Sequence, residues 1–534
     1  MKTILPLLLA LLVFLGHSHS PVSQSGDSGW AIPLSLSILR EHDLDLDEYV
    51  SQIAPVDSRI DRIDGHYFSY FPYGTSLLSL PFVWLAMQFD PQLADPSQVA
   101  FPELEIIIAS AIVAAASLVM YAVARQRDLS LPAALLVTLL FAFGTSVWST
   151  ASRALWQHGP SILMLSLGIY LLGEAEKRPQ RTPYLALPLA FAYIIRPTNS
   201  IVLLVVSLYI FLCYRAYFWR YLLWGGAVAM LFVAINFSTF GTLLPRYFLP
   251  ERVGNNALFW TALAGNLISP ARGLFVFTPI TLLIGVGAVQ RVRKLARIEK
   301  ISVAIILLHW LLISTFPHWW GGWSYGPRFF TDMMPFFWVL LFPLILSLEK
   351  VKWSAGLPIV FLLLAAIGVF IHLQGATVAE TYAPWSALPV NVEKDHARLW
   401  NWKDPQFLRG ATGLDWLIAP DIRVIPTTIT AIHDIDNPAP EWISFQVVNY
   451  TNRPLHWSAA ASTGLQITSF DMPDGISGTL VIEVPFSTLR PTENNFSVNI
   501  IGTNESGRQQ IVETNFMIYL DDLKQLFLPL IHAP

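Results

Sequence analysis

The chain has 534 residues, of which 54% are hydrophobic and only 13% are charged. Soluble domains carry about 25% charged residues, so this composition indicates an integral membrane protein and excludes an ordinary soluble enzyme. The formal net charge of −4 is close to neutral for this length, so we expect no nucleic acid partner. The single cysteine, Cys213, lies in an apolar run, which excludes a disulfide framework and a cysteine-based metal site.

Apolar runs follow one another from the N-terminus to about residue 373. The first, Ile4 to Gly16, is short for a bilayer; we favour an uncleaved first helix over a cleaved signal peptide. The later runs approach the length of about 17–25 residues that crosses a membrane as a helix. They lie at 104–124, 131–149, 160–173, 184–195, 200–214, 220–238, 273–290, 301–317, 329–347 and 353–373. The sequence therefore predicts a mainly α, polytopic membrane helix bundle of about 11 spans.

Lysine and arginine in the short loops predict the orientation, because cytoplasmic loops are enriched in both residues. Five loops carry them and alternate correctly if all are cytoplasmic: Arg125/Arg127, Lys177/Arg178/Arg181, Arg215/Arg220, Arg291 to Lys300, and Lys350/Lys352. We then expect a cytoplasmic N-terminus in the cell (plasma) membrane. The extracytoplasmic segments are 17–103, 150–159, 196–199, 239–272, 318–328 and everything after about 374.

The long first outer loop, 17–103, holds two apolar stretches that are too short to span. Ile32 to His42 and Thr75 to Phe89 are predicted to be helices in the outer interface of the membrane. Asp27 precedes the first of them, about ten residues after the first helix, so the loop can hold it near the membrane surface. The plainer alternative is that this GDSGW segment caps the helix that starts near Trp30.

Four sequence segments in or next to these predicted outer regions resemble those of a known protein family: GDSGW with LREHDLDLDEY, GHYFSYFPYGTSLLSLP, SPARGLFVFTP and WWGGWSYGPRFFTDMMP. Their order and placement across residues 20–350 resemble a bacterial branch of the GT-C superfamily of membrane glycosyltransferases, which is mannosyltransferase- or arabinosyltransferase-like. The resemblance implies transfer of a sugar from a polyprenyl-phosphate donor to an extracytoplasmic acceptor, which is a glycan, lipid or protein. It also implies inversion at the sugar carbon, with Asp27 in the place of the catalytic aspartate of the first loop.

Glycosyl transfer from a lipid phosphate needs a base for the acceptor and cations for the leaving phosphate. Asp27 is the predicted general base. Arginine matches phosphate bidentately, and the candidates for the donor phosphate are Arg328, Arg272 and Arg153. The candidates for substrate contacts are His158, His66, Tyr70, Tyr325 and Trp320. Structural histidines and the aromatic belt at the membrane interface are the alternatives for these last residues.

The acidic run EHDLDLDEY is predicted to be a solvated surface or a helix start. Its alternation puts Asp43, Asp45 and Asp47 on one face of an extended segment, which leaves a divalent cation, Mg²⁺ or Mn²⁺, as the minor alternative. No other cofactor is predicted, because phosphate-binding glycine loops and Cys/His metal spacings are absent from the sequence.

The composition changes after about residue 374. We take 1–374 as the transmembrane domain and 375–435 as an extracytoplasmic linker or cap. Short alternating strands from Glu441 onward predict an immunoglobulin-like β-sandwich over 436–522, followed by a tail, 523–534, without an assigned role.

Rival functions stay open at this point. A polytopic transporter or flippase of anionic or lipid-linked substrates is the main rival class, and a ligase-type or non-catalytic relative is the nearer one. The spans hold almost no carboxylate and show no internal repeat, which favours the enzyme. The observation that separates the classes is whether Asp27, Arg272 and Arg328 converge on one cavity.

Overall fold

The computed structural model describes most of the chain. The described ranges are 4–54, 57–249, 253–254, 256–285, 295–349, 356–410, 422–426, 428–434, 436–449, 455–471, 477–490, 492–504, 507 and 509–521. Some residues and ranges of the sequence analysis lie outside the described residues: the predicted tail 523–534, Arg252, Arg291, Lys350 and Lys352. The chain divides into two compact units, Met1–Ala383 and Pro384–Pro534.

The first unit is helical, and the structure as a whole is 60% helical. Its described α-helices, in chain order, are α1 (Ile4–Ser18), α2 (Ala31–Arg40), α3 (Gly74–Phe89), α4 (Pro102–Gln126), α5 (Leu131–Phe143), α6 (His158–Lys177), α7 (Ala186–Ile195), α8 (Ser200–Cys213), α9 (Arg215–Phe240), α10 (Phe259–Ile268), α11 (Leu274–Phe277), α12 (Arg297–Ser314), α13 (Met334–Leu348) and α14 (Gly356–Thr377). A short helix, α15 (Ala383–Ala387), lies at the boundary between the units.

Four helical segments among the described residues are long and apolar enough to cross a membrane: Pro102–Gln126, Arg215–Phe240, Arg328–Leu348 and Gly356–Thr377. This finding fits a membrane protein, but it does not establish the predicted number of about 11 spans. Helical residues occur in the described part of every one of the ten predicted later runs. In the run 273–290 the helix is interrupted: α11 ends at Phe277, helical backbone resumes at 282–285, and 286–290 lie outside the described residues. Pro279 disfavours helical geometry at the residue before it and supplies no N–H, so the helix stops there.

Loops of the same predicted side meet at one end of the bundle. Gln126 donates a hydrogen bond to Glu174 over 3.0 Å, and Arg127 pairs with Glu176 over 2.9 Å. The backbone N–H of Ser130, at the start of α5, donates to Glu349 over 3.1 Å. These contacts join loops that the lysine and arginine pattern assigns to a common side.

The predicted outer loop 17–103 contains the two predicted helices, α2 and α3, and also a hairpin that the sequence analysis missed. Strands β1 (Ile60–Ile63) and β2 (His66–Ser69) pair antiparallel. Asp64 and Gly65 connect them, both at positive φ, which is the geometry of a two-residue type I′ turn. An Asp-Gly pair between alternating residues is a hairpin signal, so the sequence did contain this element.

The second unit is a β-sandwich. Two four-stranded sheets have the orders β4-β10-β9-β6 and β3-β5-β8-β7. Their strands are β3 (Ile422–Ile425), β4 (Thr428–Asp434), β5 (Glu441–Asn449), β6 (His456–Ala461), β7 (Gln466–Asp471), β8 (Ser477–Val484), β9 (Thr492–Thr503) and β10 (Gln509–Asp521). Side chains from both sheets, such as Phe445 and Phe516, share one core. Strands β3 and β4 therefore extend the β region into 375–435, which the sequence analysis described as a linker or cap.

Candidate functional site

Asp27 lies in the turn that leads into α2, and it forms an ion pair with Arg328. Arg328 Nη2 and Asp27 Oδ2 are 2.6 Å apart, and 44% of the Asp27 side chain is exposed. Trp30 occupies the N-cap position of α2, and no side chain caps the helix there. Asp27 is therefore not the helix cap that the sequence left as the alternative, and its carboxylate faces an arginine instead.

Glu105, in the first turn of α4, accepts hydrogen bonds from the turn that contains Asp27. Ser25 Oγ donates to one carboxylate oxygen over 2.6 Å, and Ser28 Oγ donates to the other over 2.5 Å. The backbone N–H of Leu155 adds a third bond to Glu105 over 3.0 Å. Glu105 is only 2% exposed. A buried carboxylate thus holds the residues on both sides of Asp27.

An ion pair between Asp57 and Arg59, in the segment between α2 and β1, holds the same turn. Arg59 Nη1 donates to the carbonyl of Gly26 over 3.0 Å, and Trp30 Nε1 donates to Asp57 over 3.2 Å. The hydrogen bonds from Arg59, partly opposed by desolvation, lower the pKa of Asp57 to about 2. A Cβ at Gly29 would lie 2.9 Å from Arg59 Nη1, so this close approach favours glycine there.

Arg328 is held by four neighbours. Its Nε lies 3.3 Å from His158 Nε2, and its Nη1 donates to the carbonyl of Gly321 over 3.1 Å. Its guanidinium carbon lies 3.9 Å from the ring centroid of Trp156, which is the geometry of a cation–π contact. Together with the Asp27 pair, these contacts fix the guanidinium with 16% of the side chain exposed.

A buried polar chain continues behind Arg328. His158 Nδ1 lies 2.9 Å from Asp332 Oδ1, and Arg196 Nε lies 3.1 Å from Asp332 Oδ2. Arg196 Nη1 also lies 2.7 Å from His158 Nδ1. The order Asp27, Arg328, His158, Asp332, Arg196 places two carboxylates and two guanidiniums in one connected network, so each buried charge has an opposite partner.

A cavity of about 60 Å³ opens at this network. Asp27, His158, Arg196 and Arg328 line it, together with aliphatic side chains from α2, hydroxyl side chains from α3 and aromatic side chains from the neighbouring loops. Two lining residues have buried polar atoms without a hydrogen-bond partner among the described residues, Trp156 Nε1 and Thr75 Oγ1. Buried polar groups are nearly always paired, so these two atoms are exceptions among the residues that line the cavity.

The other two predicted phosphate-binding arginines, Arg272 and Arg153, donate hydrogen bonds to backbone carbonyls. Neither lines the described cavity. Arg272 is 2% exposed and donates to the carbonyls of Trp320, Ala271 and Gly322. The carbonyl of Gly321, between two of these acceptors, binds Arg328, so Arg272 supports the loop that holds Arg328. Of the three residues whose convergence would separate the function classes, Asp27 and Arg328 line one cavity and Arg272 is not among its lining residues.

Arg153 is fully buried and donates to the carbonyls of Ser20, His17 and Trp148. These acceptors are at the end of α1 and in the segment before Arg153, so the guanidinium ties the first helix to the bundle. Gln24 N donates back to the Arg153 carbonyl over 2.9 Å. A buried arginine with carbonyl acceptors has a packing role that the sequence cannot distinguish from phosphate binding.

The predicted substrate-contact residues do not all lie at one cavity. His158 lines the Asp27 cavity, and Tyr70 lines a neighbouring one. Tyr325 is fully buried, donates to the carbonyl of Ile371 over 2.6 Å, and lies outside the lining. Trp320 is 3% exposed, is likewise outside the lining, and its carbonyl accepts from Arg272.

His66 lies with the acidic run rather than in the cavity. Its Nδ1 is 2.6 Å from Asp47 Oδ2 and 3.9 Å from Asp45 Oδ2. Asp47 raises the pKa of His66 through this contact. Potential ligand atoms of Asp45, Asp47 and His66 lie within 4.8 Å of one another, whereas Asp43 accepts a hydrogen bond from Ser37. The geometry can hold a divalent cation, but the ligand set would contain His66 in place of Asp43.

Sequence reasoning missed Glu105, Trp156, Arg196 and Asp332. Asp332 offered the clearest signal, because it is a carboxylate inside the apolar run 329–347, where an ionisable residue needs a partner. Arg196 lies between two apolar runs, at the start of the predicted extracytoplasmic segment 196–199. Glu105 looked like an ordinary acidic residue in the first turn of a helix.

No protein-family model matches this chain, and neither does any curated protein. The fold and site define a helical protein with membrane-length helices, a charged cavity and a C-terminal β-sandwich. The assignment of a function therefore depends on the geometry of the chain's own residues.

Proposed function

We propose that this protein is a polytopic membrane glycosyltransferase that resembles the GT-C superfamily. It transfers a sugar from a polyprenyl-phosphate donor to an extracytoplasmic acceptor and has about 11 spans, with the Asp27 cavity on the outer face of the plasma membrane. The observation that carries the proposal is the contact between a held, partly exposed carboxylate, Asp27, and a fixed guanidinium, Arg328, at the wall of one cavity.

The two groups match the two charge changes of the reaction. The Asp27 carboxylate takes the proton from an acceptor hydroxyl as its oxygen forms a bond to the anomeric carbon. The bond from that carbon to the phosphate oxygen breaks, and the electron pair leaves with the polyprenyl phosphate. Arg328 stabilises the negative charge that develops on this oxygen. A single displacement of this kind inverts the configuration of the sugar carbon.

The donor phosphate and Asp27 compete for the same guanidinium. Without donor, Arg328 neutralises Asp27 across 2.6 Å. A phosphate matches the planar fork of arginine bidentately, so donor binding would draw Arg328 away and release the carboxylate to act as a base. Trp156 Nε1 adds an unsatisfied donor at this wall, and Arg196 adds a second guanidinium.

The origin of the lining residues supports an outer site. They come from separate segments that the charge pattern assigns to one side of the membrane, namely 17–103 (Asp27), 150–159 (His158), 196–199 (Arg196), 239–272 (Tyr247) and 318–328 (Arg328). A lipid-linked donor reaches such a site from the bilayer, whereas nucleotide sugars are normally absent there.

The test is reconstitution of the full-length protein in vesicles with polyprenyl-phosphate sugars and labelled acceptors. We expect Asp27→Asn to lower kcat by at least about 100-fold, since general base catalysis contributes about 10²–10⁴-fold. Asp64→Asn is the matched control, because Asp64 is exposed in the hairpin turn, and we expect normal transfer.

Equal transfer by wild type and Asp27→Asn would remove Asp27 as the base. Failure of the wild type to transfer from any lipid-linked donor would favour the rivals, a transporter or flippase or a non-catalytic relative. Uptake of the same lipid-linked donor into sealed vesicles would then identify the transporter directly.

A further inference from the structure

A second cavity of about 250 Å³ adjoins the Asp27 cavity. The two share part of their walls, because Leu34, Ser69, Phe71, Pro72 and Tyr247 line both. The remaining lining comes from the β1–β2 hairpin, from Leu44, Tyr70 and Tyr73 on either side of that hairpin, and from the end of α9 and the segment after it. A ligand in the second cavity would therefore lie beside the Asp27 cavity.

Three aromatic rings form one wall of the second cavity. The ring centroids of Tyr70 and Tyr247 are 5.4 Å apart, and each lies 5.6 Å from that of Phe71. Aromatic faces carry partial negative charge and attract the partly positive C–H groups of a ring packed against them. A sugar ring presents such C–H groups on its faces, so this cluster suits a saccharide.

One ion pair supplies the directional polar groups. Arg246 Nη1 lies 3.3 Å from Asp61 Oδ1, and the Arg246 guanidinium lies 6.0 Å from the Tyr70 ring centroid. A carboxylate accepts hydrogen bonds from sugar hydroxyls, and a guanidinium donates hydrogen bonds to them. The pair can therefore bind two neighbouring hydroxyl groups of one sugar.

We infer that the second cavity is the acceptor subsite and that the acceptor is a carbohydrate, bound through one sugar ring. The role of this sugar as acceptor rests on the proposed function. Sugar binding itself does not, because it is measurable without turnover. The volume of 250 Å³ lies below the range of about 300–1,000 Å³ typical of drug-sized ligands, which suits one ring. An isoprenoid chain is the competing occupant, since most of the lining is apolar.

The experiment measures binding to the full-length protein in lipid nanodiscs by saturation-transfer NMR. The probes are methyl α-D-mannopyranoside, methyl β-D-glucopyranoside and methyl α-D-arabinofuranoside, with farnesol as the isoprenoid probe. We expect at least one glycoside to bind, and we expect Tyr70→Leu and Asp61→Asn each to weaken it about fivefold or more.

Tyr67→Leu is the matched control, because Tyr67 lies in the same hairpin and contacts Arg62 rather than the cavity. Asp27→Asn is expected to keep glycoside binding and lose transfer. The inference is overturned if no glycoside binds, if Tyr70→Leu and Tyr67→Leu bind equally well, or if farnesol displaces the glycoside in a Tyr70-dependent manner. Tyr70-dependent glycoside binding without transfer from any lipid donor would instead refute the proposed function and leave a sugar site.

Discussion

Three arginines show that the contacts of a guanidinium set whether it positions a loop or can bind a ligand. Arg328, Arg272 and Arg153 each lie in a loop of the same predicted side, and each looked suited to phosphate. The structure satisfies Arg272 and Arg153 with backbone carbonyls, whereas Arg328 meets a carboxylate at a cavity wall. A guanidinium surrounded by carbonyls positions loops, and one that meets an exchangeable anion can bind a ligand.

Replacement of Arg328 by lysine tests the phosphate role at the residue scale. Lysine keeps the charge but loses the planar fork that reaches His158, Gly321 and Asp27 at once. We expect the KM for the lipid-linked donor to rise at least about tenfold, since a bond to a charged group contributes about 1.5–3 kcal/mol. Steady-state kinetics with varied donor measures this, and Arg62→Lys, an exposed hairpin arginine, is the control. An unchanged donor KM would contradict the assignment.

Glu105 provides a second prediction at the same scale. Glu105→Gln keeps the shape of the side chain but weakens the bonds to Ser25 and Ser28 that flank Asp27. We expect kcat to fall about tenfold, because small misplacements of catalytic groups are costly, with little change in the donor KM. Glu103→Gln is the matched control, since Glu103 is exposed in the same first turn of α4. A change in donor KM alone would indicate a different role.

Among the elements, the turn before α2 depends on the Asp57–Arg59 ion pair in the segment between α2 and β1. The pKa of Asp57 is lowered from its usual value near 3.8 to about 2 in the folded protein. A lowered carboxyl pKa means that the stabilisation is complete above pH about 4 and is lost as the pH falls through about 2. Glu105, on the other side of the turn, continues to hold Ser25 and Ser28.

We therefore expect protection of amides 25–30 from hydrogen exchange to decrease between pH 4 and pH 2, after correction for intrinsic exchange rates. Arg59→Met removes the main cause of the lowered pKa, so its turn should be less protected at pH 5 and should change less with pH. Arg62→Met serves as the control because Arg62 lies in β1 and contacts Tyr67. Identical pH profiles for wild type and Arg59→Met would exclude this role of the ion pair.

At the scale of the whole molecule, the two units have separate cores. Phe445 is fully buried in the β-sandwich, 5.9 Å from the ring of Phe516, while the Asp27 cavity belongs entirely to the first unit. Phe445→Ala should lower the unfolding free energy of the sandwich by about 3–5 kcal/mol. The transfer activity should persist as long as the first unit stays folded.

Thermal unfolding of the full chain, followed by circular dichroism at a β-sheet wavelength, measures the effect of Phe445→Ala. Trp442→Ala is the control, because Trp442 is on the same strand, β5, and is 53% exposed. A transition shifted equally by both substitutions would mean that Phe445 is not a core residue of an independent unit.

Local sequence patterns predict most of the helices and strands of this chain. Long apolar stretches became helices because buried backbone groups must be hydrogen-bonded within the segment, and alternating residues became strands because side chains alternate across a sheet. The helices of the first outer loop followed from the same rules. The missed hairpin carried an Asp-Gly turn signal and was also within reach of sequence reasoning.

Which side chains come into contact depends on the folded arrangement of distant segments. Asp27 and Arg328 are 301 residues apart along the chain, and Ser28 and Glu105 are 77 apart. Such contacts depend on how the helices pack and where each loop ends, and no local pattern encodes them. Arg328 differs from Arg272 and Arg153 only through its neighbours in space, because the environment sets whether a buried guanidinium is bound by carbonyls or faces an anion.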